Sequence, residues 1–187
     1  MNLWIRLVWR IALLRAGPQD LPFSSGMAIK ALGLLALILV AVRSFIPAPD
    51  TAPALLPTVL MAVGSTALWP WIALRLKGRT ERYAQATTAF AVSSVLFVAM
   101  AVPFERLASQ WVPAGVPADQ IEPSAALAFI SVGMLLLLVW KLRVDAHLWA
   151  QSLEISRLHA LLLTLALAVA EILLLNSLPA SAAAPAP

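Results

Sequence analysis

Five runs of about twenty apolar residues, near 27–46, 54–76, 84–104, 124–143 and 158–178, dominate this 187-residue chain. At 1.5 Å per residue each run is long enough to cross the roughly 30 Å hydrocarbon core of a bilayer. Lipid offers no hydrogen bonds to backbone N–H and C=O groups, so a run of this kind crosses as a helix. The sequence therefore predicts an all-α, polytopic membrane helical bundle with five transmembrane helices. A mean hydropathy of +0.89 with only 12% charged residues agrees, since about a quarter of a soluble domain is charged. The connectors are too short for a separate soluble domain, which makes 17–178 a single transmembrane domain.

The thirteen Lys/Arg are dealt unevenly around these runs. Alternating the spans puts Arg6, Arg10, Arg15, Lys30, Arg75, Lys77, Arg79, Arg82, Lys141, Arg143 and Arg157 on one side, and Arg43 and Arg106 on the other. Cationic loops stay in the cytoplasm during insertion, so the N-terminus is expected inside and the C-terminus outside. The formal net charge of +4 does not point to nucleic acid, because the cations flank apolar runs and no reader motif accompanies them. Anionic lipid headgroups are the natural counter-charge, with Arg6, Arg10, Arg75, Lys77, Arg79 and Arg82 as candidate lipid-surface contacts. The absence of cysteine excludes disulfides, thiolate metal sites and cysteine nucleophiles.

Residues 1–16 begin apolar, but Arg6 and Arg10 interrupt the run and no small-x-small cleavage site follows, unlike a signal peptide. On a helical wheel Asn2, Arg6 and Arg10 cluster, while Trp4, Leu7, Trp9 and Leu14 fill much of the remaining circumference. This pattern predicts an amphipathic interfacial helix, lying in the headgroup plane or packed against the cytoplasmic ends of the spans. Residues 16–26, with two prolines and two glycines, then turn the chain into the first span.

Pro57 falls in the first turn of the second span, where its missing N–H is harmless, whereas Pro70 lies deep enough to kink a helix. Residues 105–123 read as the longest outer loop. Asp145 is expected to N-cap a cytoplasmic helix that continues into the fifth span, because no Gly or Pro occurs from His147 to Leu178. Residues 179–187 read as a disordered outer tail.

Glu171 is the only ionisable residue well inside a run, six positions before Ser177, or about 9 Å from that end. Intramembrane acids serve as proton relays, substrate counter-ions or packing partners. Ala160, Thr164, Ala168 and Glu171 share one helical face, and small residues mark faces where helices approach closely. A similar face in the first span carries Gly33, Ala36, Val40 and Arg43, toward the same leaflet. A candidate intramembrane pair, Arg43 with Glu171, follows from that placement.

No catalytic constellation emerges. His147, Gln151 and Glu154 share a face at i, i+4 and i+7, but this set leaves a metal's coordination incomplete. No cofactor or metal is expected. Ser65, Thr66, Thr87, Thr88, Ser93 and Ser94 have no histidine within a span to act as base, and read as packing or back-bonding residues.

The segment Leu13-Leu14-Arg15-Ala16-Gly17-Pro18-Gln19-Asp20-Leu21-Pro22 resembles the head of small proteobacterial inner-membrane proteins grouped with the Yip family of Rab/Ypt-interacting membrane proteins. Five spans, an amphipathic start and a short outer tail also resemble that family. The resemblance implies a multi-pass protein of the bacterial inner membrane. It does not carry a Rab-binding role, because the family's Asp-Leu-Tyr-Gly-Pro-like element is altered: Gly17-Pro18 precedes Asp20-Leu21 and no Tyr follows.

The leading expectation is thus a non-enzymatic membrane protein that organises or stabilises a membrane assembly, with a membrane-protein partner or a second copy of itself. The alternative is a small transporter or channel component using Glu171, Pro70, Ser65, Thr66, Ser93 and Ser94 as a path. A continuous polar cavity reaching Glu171 from either face favours the alternative, and Glu171 packed against Arg43 or another protein group favours the assembly.

Overall fold

The computed structural model describes residues 3–45, 54–111 and 124–177. Six α-helices follow in chain order: α1 (Leu3–Ala12), α2 (Ser25–Phe45), α3 (Leu55–Leu76), α4 (Tyr83–Trp111), α5 (Ala125–Leu153) and α6 (Arg157–Ser177). Short 3-10 turns at Pro18–Asp20 and Thr80–Arg82 join α1 to α2 and α3 to α4. There is no strand among the described residues. Helices α2 to α6 are each long and apolar enough to cross a membrane, which makes this a multi-pass membrane protein. The spans near 27–46, 54–76 and 158–178 match α2, α3 and α6 within two residues at each end.

Two helices exceed their predicted lengths. Helix α4 runs through Pro103 to Trp111, so residues 105–111 extend the helix and are not loop. The other half of that predicted loop, 112–123, lies outside the described residues, as does the tail at 179–187. Helix α5 runs unbroken from Ala125 to Leu153, and Asp145 sits in its interior, not at a cap. The break comes at Glu154, which adopts the left-handed region with φ 51° and ψ 48°. Ser156 then accepts the backbone N–H of His159 at 3.4 Å, the side-chain bond of an N-cap to α6.

The other termini follow ordinary chemistry. Ser124 caps α5 by accepting the N–H of Leu127 at 3.2 Å. Just past the Lys77 C-cap of α3, Gly78 has a φ of +67°, which suits a residue without Cβ. The chain then closes back through Arg79 N–H donating to Leu74 O at 2.8 Å.

Helix α4 is the central element, packing on α2, α3 and α5, while α6 packs chiefly on α5. Its first half is enclosed on all sides and built mostly of small residues: Ala84, Ala86, Thr87, Thr88, Ala89, Ala91 and Ser93 are buried. In lipid no hydrophobic force holds helices together, so close approach over small side chains supplies the contact. Leu135, Leu136, Leu162 and Leu173 point outward, as lipid-facing positions do.

The best-buried core lies at the end of the bundle where α3 ends and α6 begins. Ile11, Ala16 and Leu21 meet Leu74, Ala89, Phe90, Val144, Leu148 and Leu153 there, with the Phe90 and Trp149 rings 4.6 Å apart. The α1 head is thus docked on the bundle by Ile11 and Ala12, while Arg6, Trp9, Arg10 and Leu13 stay exposed.

Candidate functional site

A cavity of about 340 Å³ lies among the spans, with lining residues from all five. That volume is at the lower end of small-molecule sites. Leu35 and Leu39 of α2, and Phe90, Phe97 and Val98 of α4, form apolar walls. Ser65, Thr66 and Trp69 of α3, Ser94 of α4, Lys141 and Asp145 of α5, and Thr164 and Glu171 of α6 supply the polar lining.

Each polar group reaches the cavity for a local reason. Lys141 and Asp145 are one helical turn apart on α5 and form an ion pair, both side chains being more than four-fifths buried. Ser93 Oγ donates to the second carboxylate oxygen of Asp145 at 3.3 Å. Lys141 answers the Asp145 charge, as a buried charge requires, and the Ser93 proton is shared between the carboxylate and Phe90 O at 3.0 Å. Thr66 Oγ1 donates back to Ala62 O at 2.7 Å and Thr164 Oγ1 to Ala160 O at 2.8 Å, the back-bonding expected of hydroxyls inside spans.

Two features leave the lining underused. Trp69 Nε1 is buried and has no hydrogen-bond partner among the described residues. Pro70, inside α3, has no N–H to give the carbonyl of Thr66 four positions back, so that acceptor lacks its usual helical donor.

Glu171 lines the same cavity from α6. It stands on the inward stripe read from the sequence, where Ala160 and Thr164 are buried. The expected contact with Arg43 is not made: the described ion pairs are Arg79 and Arg82 with Glu154, and Lys141 with Asp145. The cause is in the packing, since α2 lies on α3 and α4 while α6 lies on α5. Among the described residues Glu171 has neither an ion pair nor a side-chain hydrogen bond. A carboxyl group inside a span calls for an account of what answers it.

The six candidate lipid contacts divide into two groups. Arg6, Arg10, Arg75 and Lys77 are exposed, with the Arg75 guanidinium 5.0 Å above the Trp71 ring. Arg79 and Arg82 are instead committed to Glu154, Arg82 Nη2 lying 2.6 Å from its Oε1. Hydrogen bonds from Arg79 and then Arg82 hold the Glu154 carboxyl below its ordinary value, and the same bond raises Arg79.

The face of His147, Gln151 and Glu154 does not converge on a metal. His147 Nε2 lies 3.2 Å from Ala16 O, Gln151 Oε1 accepts from Gln19 Nε2 at 2.9 Å, and Glu154 takes the two arginines. Gln85 Nε2 also donates to Leu21 O at 2.6 Å. Residues of α4 and α5 thus hold the head segment 13–22 by its carbonyls and side chains, a role that spacing alone did not reveal.

No family model, curated protein or solved structure matches the chain. None of these comparisons identifies a Yip family.

Proposed function

We propose that this protein is a small non-enzymatic transporter or channel component that takes a small cationic solute into its central cavity, with Glu171 as the counter-ion. The observation that carries the reading is Glu171, a carboxylate without a protein partner among the described residues, on the wall of a cavity lined by Ser65, Thr66 and Ser94. The Asp145 charge is balanced by Lys141, so Glu171 leaves the lining with a net negative charge. A small cation would answer it. Arg6, Arg10, Arg75 and Lys77 are proposed to rest on anionic headgroups of a bacterial inner membrane, which fixes the basic end in the cytoplasm.

The test is uptake by proteoliposomes offered sodium, potassium, ammonium, methylammonium and choline, comparing wild type with Glu171→Gln and with Glu105→Gln. Saturable uptake of one cation, lost in Glu171→Gln and kept in Glu105→Gln, is expected. Identical behaviour of wild type and Glu171→Gln toward every cation would overturn the reading. Recovery of the chain in a stable complex with another membrane protein, with no cation uptake, would favour an assembly role.

A further inference from the structure

A second cavity, of about 270 Å³, lies at the basic end, outside the central one and sharing no lining residue with it. Its walls are Arg143, Ala146 and His147 of α5, Arg157 and Leu161 of α6, and Leu14 of the head. On α5, Arg143 and His147 are one turn apart and share a face; on α6, Arg157 and Leu161 do the same. The antiparallel approach of α5 and α6 brings the two basic positions to one groove. Leu14 reaches it through a left-handed backbone, with φ 60°.

This cluster has no anion of its own among the described residues. Asp145 is engaged by Lys141 and Ser93, and Glu154 by Arg79 and Arg82. Asp20 accepts the N–H of Gly17 at 2.8 Å. Neither Arg143 nor Arg157 appears in a described ion pair. His147 uses Nε2 to donate to Ala16 O, because a carbonyl can only accept, which leaves Nδ1 as its second polar atom. With Nε2 carrying the proton, Nδ1 of the neutral ring accepts, so the donors to an oxyanion are the two planar five-donor guanidinium groups, which suit a tetrahedral phosphate better than a single carboxylate.

The apolar half of the lining adds a second requirement. Leu161 continues into Leu158, Leu162 and Leu165, all exposed on α6, so the groove leads from a cationic pocket onto a lipid-facing surface. Basic pockets between spans at the cytoplasmic side bind phosphate-bearing headgroups by this combination.

We propose that Arg143 and Arg157, in the pocket that His147 also lines, form a binding site for a phosphate group, carried either by an anionic phospholipid headgroup or by free phosphate. This site is independent of the cation reading of the central cavity.

The experiment uses the purified full chain in an uncharged detergent, titrated with short-chain phosphatidylglycerol and read by native mass spectrometry. Inorganic phosphate is added as competitor in a second arm. Arg143→Gln/Arg157→Gln is expected to weaken phosphatidylglycerol binding roughly thirtyfold, the equivalent of about 1 kcal/mol for each arginine. Leu161→Trp fills the groove without changing charge and is expected to weaken binding as well; it decides the matter if the arginine variant does not fold. Arg43→Gln/Arg106→Gln removes the same charge at the opposite end and is expected to bind as wild type. Competition by inorganic phosphate supports a site for the phosphate group alone, and lipid binding that resists it supports a headgroup site. No binding to wild type, wild-type binding by Leu161→Trp, or equal loss in the Arg43/Arg106 variant would each overturn the proposal.

Discussion

Trp140 Nε1 donates to the carbonyl of Ala12 at 3.0 Å, tying the middle of α5 to the end of α1. Ala12 has only four-hundredths of its surface exposed, so the acceptor has little access to water. Trp140→Phe keeps the ring and removes the donor, and the lost bond is worth about 1 kcal/mol. Amide exchange in residues 13–22 should accelerate relative to wild type, while α6 exchanges unchanged. Uniform acceleration across the chain would refute a local docking role for Trp140.

Glu154 provides a pH-dependent link between the α3–α4 connector and the α5–α6 break. Its carboxyl is held below the ordinary value of 4.5 by hydrogen bonds from Arg79 and Arg82. A lowered acid contributes stability above its unfolded value and loses it as pH falls through the folded one. Wild type should therefore melt above Glu154→Gln at neutral pH, and the gap should close as pH falls below 4.5. The pair is solvent-exposed, so the gap should also narrow in high salt. A gap constant with pH would show that the charge contributes nothing.

Gly133 on α5 is shaped to receive Phe104 of α4. A Cβ built at residue 133 would come within 2.3 Å of Phe104 Cε1. Gly133→Ala should thus destabilise the α4–α5 contact by about 1–3 kcal/mol, the usual range for overpacking. Phe104→Leu in the same chain should recover most of the loss, since it removes the ring atoms in the way. Thermal unfolding in detergent checks both variants, and an unaffected Gly133→Ala would mean that the ring moves aside freely.

The five spans were legible because lipid imposes a length and a polarity that few other environments demand. Their ends were less so. The α5–α6 break was hidden because Glu154, not glycine or proline, takes the left-handed turn, held there by two arginines distant in sequence. Residues 105–123 read as a loop, yet α4 continues to Trp111. Of the central cavity, Glu171, Ser65, Thr66 and Ser94 were visible as polar residues within apolar runs. Lys141 and Asp145 were not, because Lys141 stands at the basic end of the apolar run near 124–143 and Asp145, past that end, reads as a helix cap. Their i, i+4 spacing with opposite charge was the available signal, and it becomes informative only once α5 is known to be continuous. The contact of Arg43 with Glu171 failed for a different reason: a helical face gives direction around one helix and says nothing of which helix stands opposite.

The Lys141–Asp145 pair should behave as a buried unit. Both side chains are largely withdrawn from solvent, so removing one charge leaves the other without its partner in a medium that solvates it poorly. Asp145→Asn should therefore destabilise the protein by about 3–5 kcal/mol, the range seen when one member of a buried pair is lost. Lys141→Met/Asp145→Leu removes both charges, keeps similar volume, and should lie within about 1 kcal/mol of wild type or above it, since apolar replacement of a buried pair is often neutral or stabilising. Ser93 sharpens the test, because its single hydroxyl proton is shared between Asp145 and the carbonyl of Phe90. Ser93→Ala should cost less than Asp145→Asn, as Lys141 still answers the carboxylate. Thermal unfolding of the four proteins in one detergent gives the comparison. If the double variant proves as unstable as Asp145→Asn, the two charges are not acting as a pair, and Asp145 must be held by another group in the cavity.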